Sequence, residues 1–319
     1  MVILTLAIVT LMLVFVATPY LARYAVHKGR VDKPSMRKVH TAPTPRIGGH
    51  VFIPIIGATW LFAVPAIDAE VVSLLIAMGI LFVMGILDDF KDLSHRIKLP
   101  FQLLASGIVI HFWGLVPLDM GGAFGIHIIH NWWGWFLMLL FFQFTINAFN
   151  YTDGVNGLLG GYTVITFSFL TLWGYYSHID RIWPLTFLTS AGVLGFLFYN
   201  LRKTALTFMG DGGSTVIGLL AAIATSRIIQ VEPLSKVSVG KVEHLIPTFF
   251  VFALLFWYPL FDSLQVYARR LLRGNSPFKA DRGHFHHYLM AQTNKNHLLT
   301  TGLILVITGL LILGFLVSI

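Results

Sequence analysis

The apolar residues of this chain come in runs of about 17–22, the length an α-helix needs to cross the hydrocarbon core of a bilayer. Ten such runs recur, near residues 2–22, 48–67, 71–87, 99–116, 132–149, 158–176, 183–200, 214–231, 245–265 and 298–318. In lipid every backbone N–H and C=O must be satisfied within the segment, so spans of this kind are helices. Composition agrees: 56% of the 319 residues are hydrophobic and 11% charged, with a mean hydropathy of +0.77, whereas soluble chains carry about 25% charge. A soluble core is excluded. The expected fold is all-α, a polytopic membrane protein of about ten transmembrane helices, and no repeat or low-complexity linker divides residues 1–319 into more than a single domain.

The formal net charge of +8 would point to nucleic acid in a soluble protein, but here the bias of Lys and Arg toward the cytoplasmic side is the better reading. Threading the spans from an external N-terminus makes 23–47, 88–98, 150–157, 201–213 and 266–297 cytoplasmic. Those segments hold 18 of the 22 Lys and Arg residues and leave Arg181, Arg227, Lys236 and Lys241 outside. Both termini come out external, and no nucleic-acid partner is expected. Residues 1–22 lack a basic stretch ahead of the apolar run, and Arg23, Lys28 and Arg30 follow it. That order fits an uncleaved first span rather than a signal peptide. The chain has no cysteine, so disulfides cannot form and the redox compartment is unreadable.

Under this threading the polar motifs fall on the cytoplasmic side. The third span ends in Gly85-Ile86-Leu87-Asp88-Asp89-Phe90-Lys91-Asp92, and on a helix Asp88, Asp89 and Asp92 lie three or four apart on adjoining faces. Carboxylates so crowded ask for a cation, and oxygen ligands favour Mg²⁺, Mn²⁺ or Ca²⁺. A plainer reading makes them the solvated end of a helix, paired with Lys91, Arg96 or Lys98. The loop ahead of the second span ends in Pro45-Arg46-Ile47-Gly48-Gly49, suited either to lipid headgroups or to a phosphate beside the carboxylates. Asn147, Asn150, Asp153 and Asn156 recur every three residues at the end of the fifth span; amides and an acid bunched near a membrane imply a polar ligand or ion, unless they only cap helix ends. In Phe208-Met209-Gly210-Asp211-Gly212-Gly213-Ser214, Asp211 reads as an N-cap or as an acid in a loop whose free N–H groups suit a phosphate. Arg282, His284, His286 and His287 lie in the last loop. They suit phosphate oxygens better than zinc, because no cysteine and no HExxH helix completes a zinc site.

These five segments, in this order from about Asp32 to Leu289, resemble the polyprenyl-phosphate N-acetylhexosamine-1-phosphate transferase family. The resemblance implies a multi-span Mg²⁺-dependent enzyme, with Mn²⁺ as a substitute, in the bacterial inner (plasma) membrane. Such an enzyme moves a sugar-1-phosphate from a UDP-sugar to a polyprenyl phosphate and releases UMP. The loop at Pro45–Gly49 and the His-Phe-His-His form at 284–287 look like the branch that uses UDP-N-acetylglucosamine and undecaprenyl phosphate in the first membrane step of a cell-envelope polymer, such as lipopolysaccharide or teichoic acid. The peptidoglycan branch, which takes UDP-N-acetylmuramoyl-pentapeptide, typically has three consecutive histidines, and Phe285 breaks that run. Matched by motif, Asp88 and Asp89 are the acidic pair near the lipid phosphate and Asp211 is the Mg²⁺ aspartate. Asp153 joins them as a catalytic acid. Asn156 lies near the expected uracil site, Phe208 resembles a uracil platform, and His284, His286 and His287 match the diphosphate-facing histidine motif; Asn147, Asn150, Arg46 and Arg282 are expected to bind substrate beside them. Many relatives are dimers, so a homodimer is an expectation too, with no interface readable in the chain.

Two other readings compete. Asp88-Asp89-x-x-Asp92 also looks like a prenyl-diphosphate motif, although no second aspartate-rich cluster accompanies it. A transporter would use acids for ion coupling, but its carboxylates tend to lie at the bilayer midplane, whereas these stand at span ends.

Overall fold

The computed structural model describes residues 1–32, 43–116, 118–239, 242–274 and 283–318. Helix α1 (Val2–His27) precedes the short α2 (Gly48–Leu61), then α3 (Ala69–Lys91) and α4 (His95–Phe112). A small hairpin, β1 (Leu118–Asp119) with β2 (Ile128–Ile129), leads to α5 (Asn131–Thr152), α6 (Leu158–Tyr176), α7 (Ile182–Asn200) and α8 (Asp211–Val231). A second antiparallel hairpin, β3 (Leu234–Val239) with β4 (Val242–Pro247), precedes α9 (Thr248–Leu255), α10 (Trp257–Leu272), α11 (Phe285–Gln292) and α12 (His297–Ser318). The molecule is thus an all-α polytopic membrane protein. Helices stand at each of the ten expected positions. By length and apolarity seven of them can cross a bilayer, or eight if the bent α9–α10 pair is one span. Helix α2 has 14 residues, about 21 Å at 1.5 Å per residue, short of the roughly 30 Å core. Helix α4 opens on Arg96 and Lys98.

Helix α8 is the axis of the bundle and is buried along nearly its whole length. Glycines let its neighbours approach. A Cβ on Gly85 of α3 would run into the backbone of Gly212, and one on Gly49 of α2 into the backbone of Gly213. Helix α3 begins with the carboxylate of Asp68 accepting from the N–H groups of Glu70 and Val71 at 3.1 and 3.2 Å, a side-chain cap for otherwise unpaired donors.

The two ends of the bundle differ in chemistry. One end gathers Arg181, paired with Asp68 and Glu70, and Trp113, whose indole N–H donates to the carbonyl of Glu70 at 2.9 Å. Both hairpins lie there, where a Cβ on Gly121 would strike the Pro233 carbonyl. The other end carries the C-termini of α1, α3, α5 and α7 and the N-termini of α2, α4 and α8, and with them Asp88, Asp89, Asp92, Asp153 and Asp211.

The apolar run near 245–265 reads as one continuous span, but the chain turns by 80° between α9 and α10. Pro259 lacks the N–H that would reach the carbonyl of Leu255 in a continuous helix. The hydroxyl of Tyr162 donates to that carbonyl instead, at 2.6 Å. Beyond the bend α10 is strongly amphipathic and ends in Arg269 and Arg270, as a helix lying along a membrane surface would.

Candidate active site

The head of α8 organises the site. A helix begins with backbone N–H groups that have no partner inside the helix. Here they are claimed by carboxylates from other elements. Asp89 accepts from the N–H of Asp211 at 2.9 Å and from that of Gly212 at 3.2 Å. Asp153 accepts from the N–H of Gly210 at 3.1 Å. The N–H groups of Gly213 and Ser214 return to the carbonyl of Gly210. The glycine-rich turn therefore does not offer open N–H groups to a phosphate, as its sequence suggests, because two acids of the site already occupy them.

Asp88 faces elsewhere. Its Oδ1 accepts from the N–H of Leu93 at 2.6 Å, and its Oδ2 from the ammonium of Lys98 at 2.8 Å. The same ammonium reaches Asp211 Oδ2 at 3.0 Å. Two carboxylates from different helices thus share a single positive charge. Asp92 does not join them: it ends α3 in the left-handed region (φ 46°) with its side chain 91% exposed, 3.8 Å from Arg46. The expectation of three crowded acids is corrected to two, and with it the likeness to a prenyl-diphosphate motif.

Asp153, just beyond α5, titrates near 7. Burial raises it, the charges of Asp211 and Asp89 add to the effect, and the N–H of Gly210 and Arg46 oppose it. Burial works against the Arg46 guanidinium, but Asp32, Asp89 and Asp211 outweigh it and hold it protonated. Arg46 pairs with Asp32 at 3.1 Å. The loop that carries Arg46 is seated by backbone bonds, Phe208 N–H to the carbonyl of Pro45 and Gly48 and Gly49 N–H to those of Phe208 and Met209. A cavity of about 220 Å³ opens beside it between Arg30, Asp32, Arg46, Asp89 and Phe90.

The remaining expected residues divide. Asn150 donates to Ser214 Oγ at 2.8 Å, at the head of α8. Asn147 lies deeper, bonded to Gln102 and to the carbonyl of Gln143. The amide of Asn156 donates to the carbonyl of Arg202 at 2.9 Å and ties the 201–204 segment to the end of α5. Phe208 stands beside Arg46. His284 and His286 pack against the Tyr151–Gly154 segment: the ring of His284 lies 5.4 Å from that of Tyr151, and His286 leaves no room for a Cβ on Gly154. His286 is 2% exposed with Nδ1 on the hydroxyl of Tyr258. Burial and its neighbours His287 and His284 hold it well below an ordinary imidazole. His287 follows, 4.4 Å from the His286 ring. Arg282 lies outside the described residues.

Sequence reading missed three participants. His50 donates to Asp89 at 3.2 Å, and Asp262 accepts from His284 at 2.9 Å. Lys98 appeared only as a partner for a solvated helix end, ten residues beyond Asp88, yet it sits between Asp88 and Asp211. Among the described residues no three His, Asp or Glu side chains already form a metal-holding group. Asp88 and Asp211 nonetheless converge on one cation, which fits a divalent ion that takes one or two carboxylates and completes its shell with water and substrate phosphate.

Residues 71–229, from α3 through α8, match the model of glycosyl transferase family 4. A probable undecaprenyl-phosphate N-acetylglucosaminyl 1-phosphate transferase of Bacillus subtilis (strain 168) is 31% identical over 291 residues, 89% of this chain and 76% of that protein. The undecaprenyl-phosphate α-N-acetylglucosaminyl 1-phosphate transferase of Escherichia coli (strain K12) is 33% identical over 279 residues, 85% and 72% of the two chains. The chain belongs to glycosyl transferase family 4. Its resemblance to the polyprenyl-phosphate N-acetylhexosamine-1-phosphate transferases is borne out. The family-matched region holds Asp88, Asp89, Lys98, Asp153 and Asp211; the Arg46 loop and the histidines lie outside it.

Proposed function

We propose that this family member transfers N-acetylglucosamine-1-phosphate from UDP-N-acetylglucosamine to undecaprenyl phosphate, releasing UMP, at the cytoplasmic face of the bacterial inner membrane. The reaction serves as the first membrane step of a cell-envelope polysaccharide. The observation that carries the reading is the junction at the head of α8, where acids from α3, α8 and the end of α5 meet at one end of a membrane bundle and two of them, Asp88 and Asp211, share the ammonium of Lys98. The soluble donor arrives from water and the acceptor's tail stays in lipid, so chemistry must occur at such an end. The names of the relatives support the choice of substrates.

Phosphoryl transfer leaves little covalent work to a protein; positioning and charge neutralisation dominate. An oxygen of the acceptor phosphate attacks the sugar-linked phosphorus, that oxygen–phosphorus bond forms, and the bond to UMP breaks. Asp211 and Asp88 would hold Mg²⁺, which neutralises the diphosphate when bound. Lys98 supplies a movable positive charge at the same place, and Asp88 orients the acceptor phosphate beside it. Arg46 offers a fork to phosphate oxygens. Asp89 and His50 keep the head of α8 in register with α3.

The deciding measurement is UMP release by the purified protein in detergent with undecaprenyl phosphate, Mg²⁺ and a panel of UDP-sugars. UDP-N-acetylglucosamine should be turned over fastest. In the same assay Asp211→Asn should lose turnover by roughly a hundredfold or more, as other residues that stabilise developing charge do, while melting within a few degrees of wild type. Near-normal turnover of that variant would remove its metal role.

A further inference from the structure

Asp262 is 1% exposed, on α10 in the second turn past the bend at Phe256. A buried carboxylate is costly unless it is paired and hydrogen-bonded. The side chains that face it among the described residues are two imidazoles, His284 Nδ1 at 2.9 Å and His286 Nδ1 at 3.8 Å. Its oxygens grip consecutive residues: Oδ2 accepts from His284 Nδ1, and Oδ1 accepts from the N–H of Phe285, the first residue of α11. The groups facing the His284 ring are Tyr151 from α5, at 5.4 Å between centroids, the stacked ring of His286 at 5.5 Å and His287 at 6.3 Å. Tyr258 lies behind His286. Tyr151 is two residues from Asp153, which bonds the head of α8, so His284 borders the carboxylate site. His286 is walled in by Tyr258 and Gly154.

We infer that Asp262 is a positioning residue of this site: it fixes the His284 ring by accepting from Nδ1–H, so that Nε2–H of the doubly protonated ring, the form an anionic diphosphate selects, donates to the donor's diphosphate. The inference rests on the transferase reading above. A carboxylate bound to one ring nitrogen sets both the tautomer and the direction of the other, the arrangement by which imidazoles at reaction centres and metal sites are oriented. The bend between α9 and α10 is what carries Asp262 to the start of α11.

Asp262→Asn tests this well because the shape is kept. The amide oxygen still caps Phe285 while the amide N–H₂ faces Nδ1, so Nδ1 must give up its proton to accept, and the ring can no longer be held with both nitrogens protonated. The full-length protein in detergent is assayed for UMP release as wild type, D262N, H284Q and the double variant, each with a thermal melt. We expect D262N and H284Q each to lower turnover by roughly 10- to 100-fold with the melting temperature nearly held, in the range seen for removal of groups that orient a ligand. The double variant should lose no more than the worse single one, because the two residues act as a unit. Losses that multiply in the double variant, or a D262N enzyme within twofold of wild type, would overturn the inference. A second readout does not need turnover. In a long-range ¹H–¹⁵N spectrum of histidine-labelled protein, the His284 signal, assigned by its absence in H284Q, should show a proton on Nδ1 that D262N removes from that nitrogen. A His284 tautomer unchanged by D262N overturns the inference as well. A wild-type protein that releases UMP from no UDP-sugar sinks the transferase reading instead, and the spectrum still decides what Asp262 does to the ring.

Discussion

Without the ammonium of Lys98, Asp88 and Asp211 would face each other with no cation between them and could not both stay ionised without cost. At about 4 Å and an effective dielectric near 20, such a pair repels by roughly 4 kcal/mol. A divalent ion entering the wild-type site must displace or outcompete that ammonium, whereas in a Lys98→Met protein it would enter an uncompensated site. Mg²⁺ should therefore raise the melting temperature of K98M by more than it raises that of wild type, through preferential binding to the folded state. An equal or smaller rise would show that the ion does not use this pair. Asp153 gives a second expectation at the same scale. Its carboxyl titrates near 7 in the folded chain against 3.8 for the unperturbed group, so the folded state holds a proton that the unfolded state has released. Stability from that proton is fully present below about 4 and is lost as pH rises through about 7. With metal chelated, the melting temperature of wild type should fall relative to Asp153→Asn between about pH 5 and 8; parallel curves would refute the shift. The acids themselves were legible, because carboxylates at the ends of apolar runs are conspicuous. Their separate duties were not. Asp88 and Asp89 are adjacent in the chain, and only the packing of α3 on α8 shows that one meets a lysine and the other a helix terminus.

Helix α3 can deliver Asp89 to the head of α8 only if the two backbones nearly touch, which is what Gly85 and Gly212 permit. Gly85→Ala forces the helices apart at the point where the N–H groups of Asp211 and Gly212 are bound. It should lower the melting temperature, in keeping with about 1–3 kcal/mol for overpacking, and reduce activity at least as strongly as stability. Gly79, also on α3, has open space around its Cβ position, so Gly79→Ala should be neutral or slightly stabilising. Equal effects of the two substitutions would rule out the close approach as the cause. The positions of the long helices follow from hydrophobic run length, and those were readable. The break between α9 and α10 was not, because every residue from Thr248 to Phe261 suits a buried span and only Pro259 disturbs the pattern. The partner that makes the break tolerable is Tyr162, almost a hundred residues away. Helix α11 was hidden for a related reason: its N-terminus is capped by Asp262, from another element.

At the scale of the molecule, the bundle has a carboxylate end and an end built around the Arg181–Asp68–Glu70 cluster. Which end faces the cytoplasm decides whether a soluble nucleotide sugar can reach the site. The distribution of Lys and Arg, 18 of 22 on the site-bearing side of the expected threading, argues that the carboxylate end is cytoplasmic. The chain contains no cysteine, so single cysteines can report sidedness without background. His178 lies exposed near Arg181, and Lys203 lies exposed beyond α7, in the segment bonded to Asn156. In intact cells a membrane-impermeant maleimide should label His178→Cys and not Lys203→Cys, and permeabilisation should make both reactive. The reverse pattern would place the site on the outer face, where no cytoplasmic nucleotide sugar arrives, and the proposed reaction could not proceed there. Labelling of both in intact cells would mean that the two ends are not separated by the bilayer, and would overturn the reading of the seven long apolar helices between them as spans.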